Sequence, residues 1–267
     1  MRIVDCHVHQ AGEADAVRVL RDMDESGVER ICVCSPPERV SLGRTRANLL
    51  LTKQLFDAAP DRISGLAWLE PTIPGTRGLA REALEEMGFV GIKLIPDHWY
   101  AWEERLEPFW ERLHELRARV LIHTGILYGN DDSSRFCRPV HLEKLLHYPN
   151  IRFAMAHISW PWCEECLAVM GRMRAAAQRG AGPWQSYVDL TRGTPPHIRE
   201  QAIANAVSFC GPERLLFGTD SRVPDGLARQ REHIGLDLAI LEKLGLDAAA
   251  KARIMSGTAD EVFPPRA

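Results

Sequence analysis

Two histidines stand close together near the start of the chain, in residues 3–9 with the sequence Ile-Val-Asp-Cys-His-Val-His. The pattern predicts a buried β-strand, whose successive side chains point to opposite faces. On a regular strand the residues divide into Asp5, His7 and His9 on one face and Val4, Cys6 and Val8 on the other. Two imidazoles at this spacing can hold one metal ion, although two histidines that merely end a core strand would give the same pattern.

Four further residues that could take part in metal chemistry stand at or near the ends of apolar runs. They are Lys93, His123, His157 and Asp220. A small residue or a turn follows each of the last three. A lone histidine at a strand end is more often structural than a ligand, but several histidines and an aspartate that meet at one place are the ligand types of a divalent ion.

The elements that must bring these residues together are eight successive units of a strand and a helix. The predicted strands are mostly apolar, as expected for a sheet buried on both faces, and they cover residues 3–9, 29–34, 63–69, 89–95, 119–123, 151–157, 186–190 and 215–220. The predicted helices cover residues 14–26, 49–56, 77–87, 104–118, 139–147, 161–179, 195–209 and 227–244. This succession predicts an α/β protein with the (β/α)8 TIM-barrel fold, a single domain over residues 1–267 with a short helical C-terminal tail at 248–263.

A barrel of this kind places its active site at the carboxyl ends of the strands. The histidines of the first, fifth and sixth strands, Lys93 of the fourth and Asp220 of the eighth would therefore meet at one rim. We expect a metal site there.

The residues at this rim occur within recognisable motifs. These are Asp5-Cys6-His7-Val8-His9, Gly91-Ile92-Lys93-Leu94, His123-Thr124-Gly125, Ala156-His157 and Gly218-Thr219-Asp220. In these motifs, and in their order over nearly the whole chain, the sequence resembles the amidohydrolase superfamily. The resemblance is to the branch that includes aminocarboxymuconate-semialdehyde decarboxylase and resorcylate decarboxylase.

The resemblance implies roles for individual residues. His7, His9 and His123 would be ligands of one divalent ion, expected to be zinc, and Asp220 would bind the metal or its water. His157 would either ligate a second metal or polarise the substrate. Lys93 stands where two-metal members carry a carbamylated lysine that bridges the ions. The alternative, which we favour, is one metal and an uncarbamylated Lys93 that pairs with Asp220 or with a substrate carboxylate.

The first reaction that such a site would support is hydrolysis. A divalent ion lowers the pKa of a bound water to about 7, and Asp220 could take its proton. We therefore expect a metal-dependent hydrolase of an amide, lactone or related bond. A non-oxidative decarboxylase on the same scaffold is the second hypothesis. The third is a barrel that binds a metal without catalysis, but the ligand set is complete, which argues against a degenerate site.

The loops after the strands are rich in aromatic and cationic residues, which suggests a small carboxylated substrate. The residues are His98, Trp99, Tyr100, Trp102, Tyr128, Asn130, Arg135, Trp160, Trp162, Arg192 and Arg222. Loop packing or solvation would explain any one of them equally well. From this set we select Trp99, Tyr128, Trp160 and Arg192 as candidate substrate-binding residues.

The composition of the chain excludes several other classes of protein. A net charge of −3 over 267 residues leaves no basic footprint for nucleic acid. Seven cysteines are an odd number and do not form a disulfide framework. Cys163 and Cys166 have the spacing of a redox or metal motif, but they fall on a predicted helix. No apolar run approaches the roughly 20 residues that span a membrane, and no signal segment is recognised. We expect a cytoplasmic protein with a small-molecule substrate and no membrane partner, in which apolar residues on the later helices would permit a homodimer.

Overall fold

A computed structural model describes residues 1–129, 132–227 and 230–265. It contains a sheet of nine segments, each parallel to its neighbours. The segments are β1 Val4–Gln10, β2 Arg30–Cys34, β3 Ile63–Trp68, β4 Gly91–Leu94, β5 Arg119–Ile122, β6 Arg152–Met155, β7 Ser186–Asp189, β8 Leu215–Leu216 and β9 Ser221–Val223.

The sheet closes on itself through its last two segments. β8 pairs with β7, and β9 pairs with β1. Because β8 and β9 follow one another along the chain, they are two parts of the eighth barrel strand. Between them the Cys6 amide donates to the Phe217 carbonyl (3.0 Å) and the Asp220 amide donates to the His7 carbonyl (2.9 Å). The predicted (β/α)8 barrel is confirmed, with its eighth strand interrupted beside the site.

Helices cover the outside of the barrel, and the last two belong to the C-terminal tail. The α-helices are α1 Ala16–Ser26, α2 Leu42–Asp57, α3 Thr76–Arg81, α4 Glu107–Glu115, α5 Cys163–Gln178, α6 Pro196–Cys210, α7 Gln230–Lys243, α8 Ala248–Ala252 and α9 Thr258–Val262. In the described part of the chain, no helix is both long enough and apolar enough to cross a membrane.

Several predicted helices differ from the structure in extent or type. α2 begins seven residues earlier than predicted, at Leu42, because the Ser41 side chain accepts a hydrogen bond from the Arg44 amide and caps the helix. The segment Pro139–His147 forms a 3-10 helix. The predicted eighth helix includes residues 228 and 229, which lie outside the described residues.

The C-terminal tail closes the bottom of the barrel. A small apolar cluster inside the barrel includes Leu66 and Leu121 from the strands and Ala259, Val262 and Phe263 from the tail. The larger cluster lies between the strands and the helices. The C-terminal tail therefore forms part of the core of the barrel.

Strand β1 contains a bulge that changes the direction of its side chains. Asp5 pairs with Ile31 and Val8 with Val33, so two residues of β1 face one residue of β2. Cys6 packs in the inner cluster whereas Val8 packs in the outer one. The Asp5 carboxylate accepts a hydrogen bond from Gln230 of α7 (2.7 Å). The predicted common face of Asp5, His7 and His9 is therefore wrong for Asp5.

Candidate metal centre

His7, His9 and Asp220 converge at the carboxyl end of the barrel. His7 Nε2 lies 3.0 Å from His9 Nε2, His9 Nε2 lies 3.2 Å from Asp220 Oδ1, and His7 Nε2 lies 3.7 Å from the same oxygen. Two ligands on one tetrahedral zinc ion are separated by about 3.3 Å, because the bonds are about 2.0 Å long. The three atoms thus have the mutual spacing of ligands on one ion.

The protonation of His7 also suits a ligand. Its Nδ1 lies 2.7 Å from Asp189 Oδ2 and 3.2 Å from the Thr191 hydroxyl. Because a carboxylate accepts, Nδ1 carries the proton and Nε2 is unprotonated. Burial lowers the pKa of His7 well below its ordinary value, and the charge of Lys93 lowers it further. Histidines that bind a metal commonly donate their other ring N–H to a carboxylate in this way.

His123 and His157 form a second pair of facing imidazoles. His123 Nδ1 lies 3.2 Å from His157 Nε2. The other nitrogen of each ring contacts a backbone carbonyl, that of Ile126 for His123 Nε2 (3.3 Å) and that of Arg192 for His157 Nδ1. Carbonyls only accept, so the protons lie on those outer nitrogens and two lone pairs face each other.

Two facing lone pairs repel each other, and a cation between them removes the repulsion. Burial lowers the pKa of both His123 and His157, so both rings are neutral. The rings of His7 and His157 have centroids 5.3 Å apart, which joins this pair to the first group. The donor set of this pocket therefore fits a divalent metal.

The backbone after β6 is unusual, and it positions His157. His157 has a φ of 61°, in the left-handed region. A Cβ atom on Gly193, which has a φ of 149°, would lie 2.9 Å from the Cβ of His157. Gly193 thus permits the loop after β7 to approach the imidazole.

Lys93 is fully buried and points into the barrel. Its Nζ lies 2.9 Å from His7 Nε2. The expected ion pair with Asp220 is not among the ion pairs of the described residues. Lys93 reaches the unprotonated face of His7 instead.

Asp220 is held beside the imidazoles but is open to the pocket. Its side chain is 42% exposed, and its φ is 59°. Burial alone would raise the pKa of Asp220, but the hydrogen bond with His9 and the other imidazoles beside it outweigh burial, and the pKa lies well below its ordinary value. The carboxylate is therefore ionised.

A cavity of about 650 Å³ opens above these residues, within the usual size range of small-molecule sites. Three of the four predicted substrate-binding residues line it, namely Tyr128, Trp160 and Arg192. Trp99 does not, because its ring is fully buried, packs against Trp110 and donates to Glu70 (3.3 Å). Asn130 lies outside the described residues.

Arg222 is the other arginine at this cavity. It pairs in register with His9 and lines both the main cavity and an adjoining space of about 440 Å³. Arg192 donates to His233 Nε2, whereas no ion pair of Arg222 occurs among the described residues. Arg222 is thus an exposed guanidinium at the mouth that donates to none of the described residues.

Two residues of this site were not selected from the sequence. Asp189, which holds His7, is the last residue of β7. Cys34 is the last residue of β2, and its sulfur and the ring nitrogens of His7 and His9 lie within 4.8 Å of one another. The strand-end position that singled out His123 and Asp220 also applies to both.

Comparisons with known proteins agree with this architecture. The amidohydrolase family model matches residues 4–264. A search of curated proteins found no match. Among solved structures, a 2,6-dihydroxybenzoate decarboxylase from Rhizobium has a TM-score of 0.67 and 15% identity, with 98% of this chain and 99% of that chain covered.

Two other solved structures are similar. A probable 2-pyrone-4,6-dicarboxylic acid hydrolase from Acinetobacter baumannii, with citric acid bound, has a TM-score of 0.65 and 15% identity, with 98% of this chain and 99% of that chain covered. A 5-carboxyvanillate decarboxylase from Novosphingobium aromaticivorans, complexed with manganese and 4-hydroxy-3-methoxy-5-nitrobenzoic acid, has a TM-score of 0.68 and 16% identity, with 92% of this chain and 79% of that chain covered. With the family model matching nearly the whole chain, this protein belongs to the amidohydrolase family.

Proposed function

We propose that this protein is a metal-dependent hydrolase that cleaves an amide, lactone or related bond of a small carboxylated substrate. The observation that carries the proposal is the convergence of unprotonated imidazole nitrogens from His7, His123 and His157 beside the ionised carboxylate of Asp220. We propose one divalent ion, zinc, held by His7, His9 and His123, with Asp220 beside it.

A divalent ion at this place would supply Lewis acidity, which lowers the pKa of water to about 7 and polarises a carbonyl group. The protein supplies the proton transfers. Asp220 is ionised and reaches the cavity, so it can accept a proton from the attacking water and return it to the leaving group. His157 faces the same cavity and is proposed to orient the substrate carbonyl.

Arg222 is the proposed anchor of the substrate carboxylate. Its exposed guanidinium shares the mouth of the cavity with His9 and Asp220, and arginine binds carboxylates through two parallel hydrogen bonds. Arg192 is the weaker candidate because one of its donors is already used on His233. Tyr128 and Trp160 would form the aromatic walls.

Decarboxylation is the second candidate. It is favoured by the similarity to two structures named as decarboxylases, and the anchor and ligands would be the same. Here the bond between carbon and carboxylate would break, carbon dioxide would leave, and a proton would be added at carbon. An ionised Asp220 has no proton to donate at the outset, which supports hydrolysis as the first assignment.

The two reactions are separated by their products. Carboxylated lactones and amides, and aromatic and unsaturated acids, would be incubated with the zinc-loaded protein in water enriched in oxygen-18. Hydrolysis incorporates the label into the new carboxylate, whereas decarboxylation releases carbon dioxide without forming one. Release of carbon dioxide alone would establish the second candidate, and no turnover on either panel would favour a non-catalytic barrel.

Asp220→Asn tests the proton transfer within the active reaction. Loss of a general base typically costs a factor of about 10² to 10⁴, so we expect kcat to fall by at least about a hundredfold. Asp24→Asn is the matched control, because Asp24 is an exposed carboxylate on α1 that pairs with Arg62. If Asp220→Asn kept activity within about tenfold, or about 1.4 kcal/mol, the role would be wrong.

A further inference from the structure

Cys34 is a buried thiol that faces the proposed metal ligands. It ends β2, is fully buried, and pairs in register with His9 of β1. Residues paired in this way on adjacent parallel strands point to the same side of the sheet, so Cys34 lies on the side of His9. The inner cluster contains Cys34, which independently places its side chain inside the barrel.

The sulfur belongs to one group of three donor atoms. Its distances to the ring nitrogens of His7 and His9, and the distance between those nitrogens, are all within 4.8 Å. No hydrogen bond to the Cys34 thiol occurs among the described residues. The neighbouring Cys32, in contrast, accepts from the Arg30 guanidinium (3.5 Å).

We propose that Cys34 is a thiolate ligand of the divalent ion, alongside His7 and His9. The inference rests on the proposed function only in requiring that a metal binds at this site. The thiol proton leaves to solvent when the sulfur binds the metal, as for other coordinating thiols. A nitrogen and sulfur ligand set favours zinc or cobalt over manganese or magnesium, which prefer oxygen ligands. The residue therefore sets which metal the site selects.

X-ray absorption at the zinc edge tests the bond directly in the unaltered protein. A thiolate ligand gives a sulfur scatterer at about 2.3 Å, distinct from nitrogen and oxygen at about 2.0–2.1 Å. We expect one sulfur per zinc. A shell of nitrogen and oxygen alone would overturn the inference while leaving the proposed hydrolase intact, whereas a protein that binds no metal would overturn both.

Two variants then identify the cysteine that supplies the sulfur ligand. Cobalt-loaded protein is expected to show a near-ultraviolet thiolate-to-cobalt band that disappears in Cys34→Ser, together with a loss of zinc affinity of at least about tenfold. Cys32→Ser is the matched control, since Cys32 lies on the same strand and in the same inner cluster. It should keep the band. A band retained by Cys34→Ser would contradict the assignment, and the absorption spectrum of the unaltered protein decides the case if that variant does not fold.

Discussion

The protonation state of each site histidine follows from the hydrogen-bond acceptor that its ring contacts. The Asp189 carboxylate accepts a hydrogen bond from His7 Nδ1, and the Arg192 carbonyl accepts one from His157 Nδ1, so Nε2 of each ring is unprotonated. Lys93 adds a donor to this group at 2.9 Å from His7. A metal ion bound at His7 Nε2 would take the place of this contact.

Removal of one imidazole should empty the site. We expect about one equivalent of zinc in the purified protein and less than about a tenth of that in His7→Ala or His9→Ala, because each variant loses a nitrogen from a set spaced for one ion. Elemental analysis after dialysis measures this. His197→Ala, at an exposed position on α6, should retain the metal.

Two equivalents of metal in the unaltered protein would contradict the single-ion proposal. In that case electron density for a carbamate on Lys93 would identify the bridging ligand. Full occupancy in the double variant of His7 and His9 would instead show that these residues do not hold the ion.

At the scale of the elements, the strand ends carry the site but their backbones depart from regular geometry. β1 contains a bulge, His157 and Asp220 have left-handed backbones, and the eighth strand is interrupted. Apolar periodicity predicted the strands because it reports which segments are buried. It does not report the single extra residue of a bulge. The shared face of His7 and His9 was therefore predicted correctly, whereas Asp5 was wrongly placed on that face.

The same limit explains the other differences. Trp99 and Tyr128 both follow strands as large aromatic residues, and nothing in their local sequence shows that one packs on Trp110 while the other is 80% exposed. The role of Asp189 depends on its distance to His7, which is 182 positions away in sequence. Residue types at strand ends predict candidates, whereas the closure of the barrel decides which of them meet.

The approach of the loop after β7 to His157 gives a prediction at this scale. Gly193→Ala would add a Cβ about 2.9 Å from the Cβ of His157 in a backbone conformation that alanine rarely adopts. We expect a loss of about 1–3 kcal/mol in the free energy of unfolding and weaker zinc binding. Urea denaturation and zinc titration measure the two effects.

Gly235→Ala is the control for that substitution. Gly235 lies on α7, and a Cβ there would meet no atom within 4 Å. Alanine in a helix is favoured over glycine by about 1 kcal/mol, so this variant should be at least as stable as the unaltered protein. Equal zinc affinity in both variants would show that the loop does not position His157.

At the scale of the whole molecule, the two ends of the barrel have separate tasks. The carboxyl ends of the strands carry polar residues whose burial is costly, and the opposite end is closed by apolar side chains of the tail. The backbone links the tail to the interrupted strand, because the Phe217 amide donates to the Ile254 carbonyl (3.2 Å). The tail thus supplies a hydrogen-bond acceptor at the start of the interruption in the eighth strand.

Phe263 should therefore contribute to stability without taking part in metal binding. Its ring is fully buried, and it lies so close to the start of β4 that a Cβ on Gly91 would be 3.1 Å from it. Phe263→Ala leaves a cavity among the inner-cluster residues, and we expect a loss of about 3–5 kcal/mol in the free energy of unfolding by urea denaturation. Leu236→Ala, at a side chain that is 53% exposed on α7, should change that energy by less than about 0.5 kcal/mol.

Zinc stoichiometry measured on the folded Phe263 variant should match that of the unaltered protein, because the substitution lies at the end of the barrel opposite the histidines. A Phe263→Ala protein as stable as the Leu236 variant would show that the tail does not close the core, whereas a folded variant that had lost its zinc would show that the two ends of the barrel are coupled.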